Sequence, residues 1–66
     1  MLERNYETFF KNDKWYIEYE YYSIMNEQWE RTLFRSEIDR KLLYFHTEKD
    51  ANDWIRVREE IINLGI

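Results

Sequence analysis

The run Lys14-Trp15-Tyr16-Ile17-Glu18-Tyr19-Glu20-Tyr21-Tyr22 decides the fold. Trp15, Ile17, Tyr19 and Tyr21 alternate with Tyr16, Glu18, Glu20 and Tyr22. A period of two in aromatic and β-branched residues is the signature of a strand with one apolar and one mixed face. Polarity rises around Asn26-Glu27, and Trp29, Thr32, Leu33 and Phe34 follow within Gln28 to Ser36, so the two runs read as a long antiparallel hairpin. Glu37 to Arg40 is a charged connection, and Lys41-Leu42-Leu43-Tyr44-Phe45-His46 supplies a third, shorter strand. The three strands make a meander.

On the C-terminal side, Thr47 is placed to cap a helix whose first turn carries Glu48 and Asp50, where the positive end of the dipole favours carboxylates. Ala51, Trp54, Ile55, Arg58, Ile61 and Ile62 then share one face, so this amphipathic helix packs on one side of the sheet. It runs to about Asn63, with Gly65 as its stop signal. On the N-terminal side, Leu2, Tyr6, Phe9 and Phe10 fall at helical spacing, which predicts a short N-terminal helix over 2–11, ended by the turn-forming pair Asn12-Asp13. The expected fold is α+β, in the order α-β-β-β-α, as a single domain over 1–66.

Composition narrows the function. A 66-residue chain buries only about 60% of its unfolded surface. Aromatic residues at 20% supply the large side chains that so small a core needs. Cysteine is absent, so neither disulfides nor thiolate metal sites can form, and a cytoplasmic setting is expected. No signal-peptide pattern or membrane-spanning run is seen, so no membrane partner is expected. The only glycine is Gly65, which rules out a glycine-rich phosphate loop. His46 is the only histidine, and Glu18/Glu20, Asp50/Asp53 and Glu59/Glu60 are carboxylate pairs of the kind any solvated acidic face carries. No catalytic, cofactor-binding or metal-ligating set stands out, and the reading is of a protein that is not an enzyme.

The junction Phe45-His46-Thr47-Glu48-Lys49-Asp50-Ala51-Asn52-Asp53-Trp54-Ile55 resembles the arm-type, AP2-like DNA-binding domain of tyrosine recombinases, which reads Phe-x-Thr-x-x-x-Ala-x-x-Trp and whose first strand opens with Trp, as at Trp15. The resemblance covers about residues 14–60 and implies a three-stranded sheet on one helix, with the open sheet face set in the major groove. Here that face would present Tyr16, Glu18, Glu20 and Tyr22 from the first strand. From the second it would present either Arg31 and Arg35 or Glu30, Thr32 and Phe34, because the alternation there is ambiguous. With a net charge of -4, direct nucleic-acid binding is the second choice, since duplex affinity comes from cations on phosphates.

The first choice is a small acidic protein-binding module of the phage or mobile-element inhibitor type, anti-CRISPR or anti-restriction, which blocks a basic, nucleic-acid-binding surface of a larger partner. Carboxylates at alternate strand positions lie about 6.7 Å apart at roughly 3.3 Å per residue. That matches about two phosphate steps at roughly 3.4 Å each, so such a strand can imitate DNA. The expected partner-binding strip is Tyr16, Glu18, Glu20 and Tyr22, joined across the hairpin by Glu30. A subunit stabilised in a homo-oligomer is the third class.

Overall fold

The structure, a computed structural model, describes residues 2–64. It is an antiparallel sheet with one C-terminal helix, in the order β1 (Glu3–Lys11), β2 (Lys14–Ser23), β3 (Gln28–Leu33), β4 (Tyr44–Phe45) and α1 (Glu48–Leu64). The α+β class and the long hairpin at its centre agree with the sequence reading. Gly65, read as the helix stop, lies outside the described residues.

The expected N-terminal helix is instead strand β1, paired with β2 from Glu3↔Tyr21 to Lys11↔Lys14. Two local features explain the misleading periodicity. Asn12 and Asp13 both take positive φ, 53° and 61°, the requirement of a type I′ turn, so this pair joins two strands and does not end a helix. Between Arg4 and Glu7 the register slips at Asn5 (φ 55°), a β-bulge whose extra residue breaks the period of two. Asn is among the few residues that tolerate this left-handed geometry. Past the bulge, Tyr6, Thr8 and Phe10 follow strand alternation, and their aromatic and β-branched side chains suit a strand.

The expected third strand is also different. β4 is short and pairs with β2, not with β3: Trp15↔Phe45 and Tyr16↔Tyr44. β3 occupies the same edge of β2 further along, from Glu18↔Leu33 to Ser23↔Gln28. Between them, the Phe34 amide donates to the Ile17 carbonyl (2.7 Å) and the Leu43 amide to the Phe34 carbonyl (3.0 Å). The chain thus leaves the edge of β2 at Phe34, makes an excursion through 35–42, and returns to it.

Helix α1 begins as the sequence indicates, with the Asp50 amide donating to Thr47 Oγ1 at 3.1 Å. It packs across β1, β2 and β4 and does not reach β3. The buried core is Ile17 (0% exposed), Ala51 (0%), Phe34 and Ile55. Ala51 has no side chain beyond Cβ, which lets the helix approach the sheet closely. Around this core stand Tyr6, Trp15, Tyr19, Leu43, Phe45 and Trp54, with Trp54 edge-on to Phe34 at 4.8 Å between ring centroids. Ile61, expected on the same stripe, is 58% exposed.

Candidate partner-binding face

Residues opposite one another in an antiparallel pair share a sheet face, so the registers assign every strand side chain. With Ile17 buried under α1, the other face receives Arg4, Glu7, Phe9 and Lys11 from β1, and Lys14, Tyr16, Glu18, Glu20 and Tyr22 from β2. It also receives Trp29, Arg31 and Leu33 from β3 and Tyr44 from β4. Among the described residues no element covers this face. Of the expected strip, Tyr16, Glu18, Glu20 and Tyr22 do stand together on it. Glu30 does not: it opposes Tyr21 on the helix side of the sheet and accepts a hydrogen bond from Asn26 Nδ2 at 2.9 Å. The ambiguous phase of β3 resolves in favour of Arg31.

That phase changes the electrostatics. Glu18 and Glu20 are both paired with cations of the chain. Arg31 donates from Nε (3.0 Å) and Nη2 (2.8 Å) to one oxygen of Glu18 and lies 3.7 Å from both Glu7 and Glu20. Arg4 Nε donates to Glu20 at 2.9 Å and Asn5 Nδ2 donates to the same oxygen at 2.6 Å. Hydrogen bonds from Asn5 and Arg4 hold the Glu20 carboxyl below its ordinary pKa. The face therefore carries four cations, Arg4, Lys11, Lys14 and Arg31, against three carboxylates, Glu7, Glu18 and Glu20. The excess acid of the chain lies elsewhere, on α1, whose five carboxylates outnumber its three cations, and at Glu3 and Glu30 on the helix side of the sheet.

Aromatic clusters flank this charged centre. At one end Tyr22 packs edge-on to Trp29 at 5.6 Å, and the Arg4 guanidinium lies 3.7 Å over the Trp29 ring. At the other end Tyr16 contacts Tyr44 at 6.2 Å, His46 packs edge-on against Tyr44, and Lys14 sits 4.5 Å over the same ring. Phe9, opposite Tyr16, extends this cluster. Phe9, Tyr22 and Tyr44 are all exposed. Sequence reasoning missed Phe9, Trp29, Tyr44 and Arg4 as members of the face. Phe9 and Arg4 were hidden by the helical reading of β1; the signal that could have found them is the two-residue Asn12-Asp13 link between two aromatic runs.

Among the described residues no three His, Asp or Glu side chains gather as metal ligands, and no helix is long and apolar enough to cross a membrane. No protein-family model, no curated protein and no solved structure matches this chain.

Proposed function

We propose that the chain is a non-enzymatic binding module that docks a larger protein on the open face of its sheet. The observation that carries the reading is the pair of aromatic clusters, Tyr22/Trp29 and Phe9/Tyr16/Tyr44, left uncovered at the two ends of that face. Tyr and Trp anchors around a polar centre are the composition that interface cores favour. An inhibitor that imitates nucleic acid toward a basic surface would draw on free carboxylates. Glu18 and Glu20 are committed to Arg31 and Arg4, so in this reading the aromatic area supplies affinity and the ion-paired centre fixes register. Blocking of a basic partner surface, the mode of a phage or mobile-element inhibitor, then rests on the docked module occupying that surface and not on free carboxylates of the face.

One observation favours a second reading: the cations on the open face outnumber its carboxylates, as a sheet-borne DNA-binding module resembling a recombinase arm domain would need. The experiment separates the two. Charge reversal at Glu18 and Glu20 is a poor probe, because it would set new cations against Arg4 and Arg31 and disturb the sheet. Aromatic-to-serine pairs are cleaner: Tyr22→Ser with Trp29→Ser, and Tyr16→Ser with Tyr44→Ser. Interaction mass spectrometry in the native host, followed by binding kinetics on the purified partner, should show that both pairs abolish capture while Glu59→Gln with Glu60→Gln on the outer helix leaves it intact. The reverse pattern would move the interface to the helix. Retention of duplex DNA at about 150 mM salt, lost in Lys11→Ala with Lys14→Ala, would replace this reading with the second.

A further inference from the structure

Because α1 stops short of β3, the helix side of the sheet is not fully covered, and a cleft of about 230 Å³ opens beside the helix. It is bounded by Glu3, by the segment from Thr32 through Glu37, by Arg40, and by Arg58 from α1. Three guanidiniums, Arg35, Arg40 and Arg58, thus line one cleft in a protein whose net charge is -4. Arg35 and Arg40 make no ion pair among the described residues. The Arg35 Nη1 donates to the Arg40 main-chain carbonyl at 3.0 Å, which ties the two residues across the 35–42 excursion.

Arg58 is the innermost of the three. Its Nη2 donates to Glu3 Oε1 at 3.1 Å, and its guanidinium lies 5.2 Å over the Phe34 ring. Its Nε is the one buried side-chain polar atom among the described residues without a hydrogen-bond partner. A buried donor left unsatisfied is costly, so such an atom asks for an explanation. Two carboxylates border the cleft: Glu3, already engaged by Arg58 and by the Tyr6 hydroxyl, and Glu37, which stands on the loop. The lining therefore holds three positive charges against two negative ones. The Ser36 hydroxyl is turned to its own loop, where it accepts from the Ile38 amide at 3.2 Å.

From the convergence of three arginines, two without acidic partners and one with a buried free donor, we propose that this cleft binds an oxyanion of the phosphate class. Planar guanidiniums present paired donors that match phosphate oxygens, the arrangement arginine is used for in anion recognition. The site is independent of the open-face reading, since it lies on the opposite side of the sheet. The oxyanion can be free phosphate or the phosphoryl group of a modified side chain, and the test distinguishes the two.

The full-length protein, labelled with ¹⁵N at arginine, is titrated with inorganic phosphate at constant ionic strength near about pH 7, where the anion carries between one and two charges. Saturable shifts of the Nε–H signals of Arg35, Arg40 and Arg58 are expected, with those of Arg4 and Arg56 unmoved. Arg35→Ala with Arg40→Ala should abolish saturation while far-ultraviolet circular dichroism stays native. Should that pair unfold the loop, Arg40→Gln alone serves, weakening binding by roughly tenfold. A phosphoserine peptide with neutral flanks that binds much more tightly than inorganic phosphate assigns the site to a modified side chain; equal affinity assigns it to the free anion. Linear, non-saturating shifts, or shifts that persist in the arginine variants, would overturn the proposal.

Discussion

The two faces of this sheet are made by the same strands yet held together by different physics. Under α1, Ile17, Phe34, Ala51 and Ile55 lose nearly all contact with water, and Tyr6, Tyr19 and Trp54 close around them. On the other face Arg4, Glu7, Glu18, Glu20 and Arg31 form a ladder of ion pairs across β1, β2 and β3, with aromatic clusters at its ends. The first face is stabilised by area removed from water, at about 25 cal/mol per Å². Exposed ion pairs of the second kind contribute about 0–1 kcal/mol each. The difference indicates where this small chain concentrates its stability and which face it leaves uncovered.

The widest separation between the faces should appear on truncation. Ile17→Ala removes a fully buried side chain at the centre of the core and should cost about 2–5 kcal/mol. In a 66-residue domain that is enough to lose a cooperative transition, given total stabilities of about 5–15 kcal/mol. Tyr22→Ala, on the exposed end of the same strand, should cost no more than about 1 kcal/mol. Urea unfolding of the two variants checks this directly; equal losses would mean that the open face is as strongly packed as the core.

The faces should also part at alkaline pH. Burial, then the hydrogen bond to Glu3, pushes the Tyr6 hydroxyl up from 10.0 to about 12. Tyr19 beside it is also raised, first by burial. A raised folded-state pKa means that the contribution is complete below pH 10 and is lost as pH rises through about 12. Unfolding followed across that window should show falling stability in the wild type and a smaller fall in Tyr6→Phe. A slope unchanged by Tyr6→Phe would place the alkaline loss outside the helix-covered face.

The fold was legible wherever one period ran uninterrupted. β2 alternates cleanly from Trp15 to Tyr22, and the helix announces itself through the Thr47 cap and the Ala51, Trp54, Ile55 stripe. Legibility failed at two defects in periodicity. The bulge at Asn5 made Leu2, Tyr6, Phe9 and Phe10 look helical, whereas Phe9 and Phe10 lie on opposite faces of a strand. The excursion through 35–42 hid the fact that β4 continues along β2, a long-range pairing that local propensity cannot specify. The make-up of the open face was half legible for the same reason. Its β2 members follow from alternation, but the phase of β3 depends on the register of the hairpin, and that phase decides that Arg31, and not Glu30, meets Glu18 and Glu20.

The smallest expected effect tests the device that assigns residues to faces. The Asn12-Asp13 turn fixes the register in which Phe9 opposes Tyr16 on the open face and Phe10 opposes Trp15 on the covered one. A slip of one residue would exchange them. Asn suits the left-handed position at φ 53°, whereas Asp13 at φ 61° pays a steric penalty that glycine would not. Asn-Gly is the preferred pair for a type I′ turn, so Asp13→Gly should raise stability by about 0.5–1 kcal/mol without altering either face. Asp13→Val, β-branched and poorly tolerated at positive φ, should lower it by more than that gain. Thermal unfolding of both variants gives the sign. If glycine destabilises and valine is neutral, the turn is not left-handed at this position, the register is set elsewhere, and the division of side chains between the two faces must be drawn again from a different pairing of β1 with β2.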